Sequence, residues 1–139
     1  MDALLAERAA GLTAPFWAAA GRGQLVRPVC RQCRLSHFTP KWSCPHCLSE
    51  DWAYEASTGR GVVYSSTVVH RGPDPTWPTP YVLAIVDMEE GWSMLSRLVV
   101  PSPGECESFG GRTVDVMFEP EGREPNRTLP VFSLTGSAT

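Results

Sequence analysis

CRQCRLSHFTPKWSCPHC, residues 30–47, carries two CxxC pairs separated by ten residues. Four thiolates at C-x2-C-x10-C-x2-C can close a tetrahedron around one zinc ion, each CxxC turn supplying two adjacent corners. A segment this short cannot bury enough apolar surface to fold alone, so metal binding itself must supply the folding free energy. For structural zinc in small peptides that is on the order of 10–16 kcal/mol. The predicted ligands are Cys30, Cys33, Cys44 and Cys47. With four cysteines on the metal no position stays open for water or substrate, and the expected role is structural. The same spacing also suits iron, as in an electron carrier, or a redox dithiol pair. His46 lies inside the second knuckle and is expected to point to solvent. His37, in the connecting loop, has no partner that the sequence identifies. Together with Arg31, Gln32, Lys41 and Trp42, these histidines are expected on an exposed ribbon surface suited to partner contacts.

Outward from this segment, 139 residues allow one ordinary domain, or a small domain with a metal-stapled appendage. An apolar fraction of 42% predicts a folded core. The net charge of −3 gives no overall attraction to nucleic acid or anionic membranes. The longest apolar runs, such as residues 81–86, are far shorter than a membrane span of about 18 residues. The start, MDALLAERAAGL, places Asp2 where a signal peptide needs positive charge, so a cytoplasmic location is expected. In a reducing compartment, paired cysteines favour metal over disulfides. Five cysteines leave Cys106 as a bystander.

Residues 1–24 read as a helical segment. Thr13 is expected to cap a helix with Pro15 in its first turn, and Gly21 and Gly23 to end it. Phe16 and Trp17 then dock on the chain's own core or on a partner. QLVRPVC leads as a strand into a ribbon over 25–55. From Gly59 the period becomes two. In GVVYSSTVVH, Val62, Tyr64, Ser66 and Val68 share one face. YVLAIVDM is nearly continuous apolar sequence and suits a strand buried on both faces. EEG turns it into WSMLSRLVV, a hairpin with Trp92, Met94, Leu98 and Val100 on one side. TVDVMFEP, with Val114, Val116 and Phe118 facing in, and LPVFSL complete five strands of a small barrel or sandwich over 56–139. The connection RGPDPTWPTP holds four prolines, which stiffen it and forbid regular pairing.

In order and spacing, FWAAAGRGQL, CRQC…FTPKWSCPHC, STGRGVVYSSTVVH, TPYVLAIVDMEEG and GRTVDVMF resemble the DUF35 family, bacterial and archaeal proteins with a rubredoxin-like zinc ribbon followed by an OB-fold. The resemblance covers almost the whole chain and implies a mainly β fold: an N-terminal helix, the ribbon and a five-stranded OB barrel. Two departures stand out. Arg34 and Leu48 occupy the knuckle positions where a glycine often accepts a left-handed turn, and the connection between barrel strands three and four is too short for the helix common in other OB-folds. The resemblance implies an accessory role beside thiolases and thiolase-like aldolases acting on acyl-CoA thioesters, including a sterol-carrier-type thiolase in steroid side-chain cleavage. The barrel would hold or channel CoA, and the ribbon and helix would dock on the partner.

No G-x-S-x-G, H-E-x-x-H, Walker or dinucleotide motif is present, so no catalytic residue is assigned. Cys106 is flanked by Glu105 and Glu107, which disfavour its thiolate. A CoA site needs cations for phosphates and aromatic walls for adenine and pantetheine. The candidates for that site, or for a partner surface, are Arg60, Arg71 and Arg97 with Tyr64, Trp77 and Tyr81; for any one of them taken singly, a solvated strand, core or rim position is the favoured reading. Trp77 on the stiffened loop suits a partner-contact anchor. His70, beside that loop, is the histidine placed nearest a shared active site. The alternative class is a nucleic-acid binder, since ribbons and OB-folds both bind strands. Twelve cations against fifteen acids argue against it, leaving acyl-CoA and a protein partner as the expected ligands, without nucleic acid or membrane.

Overall fold

The computed structural model describes residues 3–104, 108–122 and 127–135. A helix, α1 (Ala3–Gly21), precedes β1 (Val26–Cys30), β2 (Trp52–Ala56), β3 (Arg60–Val69), β4 (Tyr81–Met88), β5 (Ser93–Val99), β6 (Thr113–Pro120) and β7 (Thr128–Leu134). β1 and β2 pair antiparallel as a two-stranded ribbon, with the cysteine segment between them. The remaining strands close a barrel in the order β3-β4-β5-β7-β6. β5 and β7 run parallel, and every other barrel pairing is antiparallel. Three meandering strands, with the fifth inserted between third and fourth, make the OB arrangement.

α1 is continuous through Thr13 and Pro15, where a cap had been expected. Thr13 donates its hydroxyl back to the Ala10 carbonyl at 3.4 Å, the way a mid-helix threonine satisfies itself. Pro15 has no N–H to offer the Gly11 carbonyl, a loss that tertiary packing outweighs. Phe16, Ala19 and Ala20, one face at helical spacing, are all buried. The C-terminus ends as the glycines predict: Gln24 N donates to Ala19 O and Gly23 N to Ala20 O, each at 2.9 Å, with Gly23 at φ 75°. This is the Schellman motif.

β3 carries a bulge. Its register with β4 steps from Val63↔Val86 to Ser65↔Ile85, leaving Tyr64 as the extra residue. A bulge bends a strand and strengthens its twist, which lets β3 meet β6 at one end and β4 along its length. It also reverses the side-chain alternation. Val63 points inward before it and Val68 after it, so Val62, Tyr64, Ser66 and Val68 do not share one face. β4 is likewise corrected: Val82, Ala84, Val86 and Met88 are buried, whereas Ile85 faces out. An OB barrel fills its interior from one face of each strand and leaves the other uncovered.

One apolar cluster runs through the molecule. Val63, Val82, Val86, Leu98, Val114 and Phe132 fill the barrel, and Phe16, Leu25 and Trp92 extend the cluster toward the helix and ribbon. Phe38 stacks between Phe16 at 5.4 Å and Trp92 at 5.6 Å, so one ring from each part meets at the junction. Tyr54 adds a polar tie, its hydroxyl donating to the Leu12 carbonyl at 2.7 Å.

Candidate functional site

The two knuckles are built alike. Cys30 N donates to Leu35 O and Cys44 N to Ser49 O; Arg34 N donates to Cys30 O and Leu48 N to Cys44 O. Each turn closes on a left-handed residue, Arg34 at φ 65° and Leu48 at φ 66°. The repeated geometry points all four sulfurs inward, and the Sγ atoms of Cys30, Cys33, Cys44 and Cys47 lie within 4.8 Å of one another. Backbone N–H groups support the sulfur charge: Cys33 N reaches Cys30 Sγ at 3.5 Å and His46 N reaches Cys44 Sγ at 3.4 Å.

Electrostatics within the cluster also fit a cation. The Cys33 backbone N–H is the main cause that lowers the Cys30 thiol to about 6. Cys47 accepts from the Ser49 backbone N–H, yet burial and the thiols of Cys30, Cys33 and Cys44 push it up to about 12. Ionising one sulfur therefore opposes ionising the next, a conflict that a divalent ion at the centre removes. Soft thiolates at tetrahedral spacing suit zinc.

His37 departs from the expected exposed ribbon surface. It is buried, its ring edge-on to Trp52, and burial is the first cause lowering its pKa, followed by His46 and Lys41. The Val29↔Ser36 bridge folds this loop back on β1, which turns His37 inward ahead of Phe38. Arg31, Gln32, Lys41, Trp42 and His46 are exposed as expected.

The six residues considered for CoA or a partner do not form one site. Trp77, Tyr81 and Arg97 line a cleft of about 530 Å³ at one end of the barrel, between the proline-rich loop and β5, β6 and β7. Trp77 and Tyr81 place their ring centroids 5.8 Å apart at 32°, a nearly continuous aromatic wall. Thr76 N donates to Asp74 Oδ1 at 2.8 Å and Trp77 N to Asp74 O at 3.2 Å, tightening the loop that carries the indole. Arg60 lies apart, in a second groove with Asp87, Glu89 and Asp115. Tyr64 stands exposed at the bulge, and Arg71 and His70 are exposed outside both grooves. Cys106 falls outside the described residues.

Sequence reading missed the acids of the cleft. Glu119 forms an ion pair with Arg97, and Glu121 lines the same cavity. Arg97 and Glu119 belong to β5 and β6, which β7 separates in the barrel order, so only the fold brings them together. The alternation of TVDVMFEP, which sends Glu119 outward, was the available hint.

Two family models cover most of the chain: the ChsH2 rubredoxin-like zinc ribbon domain matches residues 17–53 and the ChsH2 C-terminal OB-fold domain matches residues 54–118. A protein of Thermomonospora curvata described as "Probable enoyl-CoA hydratase alpha subunit" is 37% identical over 118 residues, 84% of this chain and 36% of that protein, so the chain spans about a third of its length. A "DUF35 domain-containing scaffold protein" of Methanocaldococcus jannaschii is 32% identical over 96 residues, covering 68% of this chain and 67% of its own. The solved "Ltp2-ChsH2(DUF35) aldolase" superposes with a TM-score of 0.75 at 35% identity, over 88% of this chain and 93% of that one. The paired knuckles, the OB strand order and these likenesses place the chain in the DUF35 family, with the rubredoxin-like zinc ribbon and OB-fold of ChsH2.

Proposed function

We propose that this chain is a non-catalytic accessory subunit of a thiolase-like enzyme that forms or cleaves a carbon–carbon bond beside an acyl-CoA thioester, of the steroid side-chain retro-aldolase type. The observation that carries this reading is the likeness to the aldolase structure, which extends over 93% of a chain at 35% identity. Zinc in the four-cysteine site is structural: four thiolates satisfy a tetrahedral ion and leave no ligand position for substrate. The metal fixes the exposed face bearing Arg31, Lys41, Trp42 and Leu48 as a docking surface. Acyl-CoA is shared with the partner. Arg71, exposed in the connection after β3, is the candidate phosphate contact, since Arg60 shares its groove with Asp87, Glu89 and Asp115, and the Trp77–Tyr81 cleft belongs to the partner-facing side.

A second reading has its own support: the Thermomonospora relative carries the name of a hydratase subunit, and the match covers 84% of this chain. Co-expression with candidate thiolase-like and hydratase-like chains decides between them. Co-purification with the thiolase-like chain, and acyl-CoA aldol cleavage that needs both chains, is the expected result. Full cleavage activity from the thiolase-like chain alone overturns the proposal. Stable assembly only with a hydratase-like chain replaces it with the second reading.

A further inference from the structure

The cleft beside the proline-rich loop has a charge that fits a cation. Its charged lining consists of Arg97, Glu119 and Glu121, one positive group against two negative ones among the described residues. Arg97 is already committed to Glu119. An anion entering here would therefore meet a neutralised arginine and a second carboxylate. Glu121 also has a covered carboxylate oxygen, Oε2, with no hydrogen-bond partner among the described residues. A covered carboxylate oxygen without a donor leaves the negative charge of Glu121 poorly compensated, which favours a cation brought into the cleft. The Trp77–Tyr81 wall lines the same cavity as these acids, as do Pro78, Pro80 and Pro120. Aromatic faces attract cations, and guanidinium, planar and weakly hydrated, both stacks on rings and forks onto carboxylates.

We infer that this cleft takes the guanidinium of an arginine carried by a partner protein, held between the Trp77–Tyr81 wall and the Glu119 and Glu121 carboxylates, and not a CoA phosphate. The source of the arginine rests on the accessory-subunit reading; the ligand chemistry rests on the cleft alone. The volume of about 530 Å³ accommodates the side chain with its flanking residues. The proline-stiffened loop holds the indole in place before binding, which lowers the entropy cost of an anchor contact.

The test is an NMR titration of the isolated, zinc-loaded 139-residue chain with ethylguanidinium. Saturable shifts are expected at the Trp77 indole, Tyr81, Val82 and Leu98, and E121Q, shown folded by its dispersed spectrum, should bind about tenfold more weakly. CoA should leave those resonances unmoved. Unshifted cleft resonances with ethylguanidinium, equal affinity in E121Q, or saturable shifts with CoA would each overturn the inference; an equal response to ethylammonium would overturn the choice of arginine. The titration contains no partner chain. Its failure is thus separate from a failure of co-purification, which would remove the accessory reading and leave the cleft's preference standing.

Discussion

Leu48 shows what the knuckle demands of a single residue. It sits at φ 66° with 77% of its surface exposed, so its side chain contributes little packing while its Cβ strains the left-handed turn. That strain is about 1–2 kcal/mol, and the extra unfolded-state freedom of glycine returns part of it. L48G should therefore stabilise the isolated chain by about 0.5–1 kcal/mol, raising the melting temperature by roughly 1–3 °C. An unchanged or lower melting point would show that the turn carries no such strain. Cys44 is the opposite case: fully buried, it supplies one of four metal corners. C44S should reduce bound zinc from one equivalent per chain to a small fraction, measured by elemental analysis after gel filtration.

At the scale of elements, the turn after β4 grips the linker between ribbon and barrel. One Glu90 carboxylate accepts from Ser57 Oγ at 2.9 Å, Thr58 N at 2.7 Å and Trp92 Nε1 at 2.9 Å. Desolvation raises its pKa, but the bonds from Thr58, Trp92 and Ser57 and the charge of Arg27 outweigh it, and the net shift is downward. A carboxylate with a depressed folded-state pKa contributes stability that is complete above its unfolded pKa and is lost as pH falls through the folded one. E90Q should cost about 1–2 kcal/mol at neutral pH, allowing for partial exposure. In paired urea melts the gap between wild type and E90Q should close below the ordinary carboxylate range; a gap that is constant with pH would contradict the assignment. Trp92 is two residues from Glu90, but Ser57 and Thr58 are not visible in the sequence as its partners, because they lie 33 and 32 positions away. What was legible rests on local chemistry: the cysteine spacing, the Gly91 hairpin turn and the alternation of β6. β2 was missed because WAYEA is short and lacks a clear alternation, and its strand state comes from pairing with β1. The Tyr64 bulge is a requirement of barrel closure, which no local pattern announces.

The molecule as a whole joins a metal-dependent part to one that carries its own core. The barrel is closed, with every strand paired on both sides and an interior filled by its own residues, so its backbone hydrogen bonds do not depend on zinc. The ribbon has one two-stranded sheet and the metal site, and its apolar links to the rest include Phe38, set between Phe16 and Trp92, with Val26 and Tyr54 packed against the same cluster. Removing zinc should therefore unfold the ribbon and leave the barrel folded but uncovered at the Trp92 end. Trp92, only 4% exposed in the intact molecule, should then become accessible to a fluorescence quencher. Chelation at pH 7 should leave the β-sheet circular dichroism largely in place, lower the melting temperature and increase binding of a hydrophobic dye. F16A, which removes the helix's ring from the same junction, should lower stability by about 3–5 kcal/mol with zinc still bound. If chelation instead abolished the sheet signal in the same step as metal loss, ribbon and barrel would be one cooperative unit, with Phe16, Phe38 and Trp92 carrying the coupling.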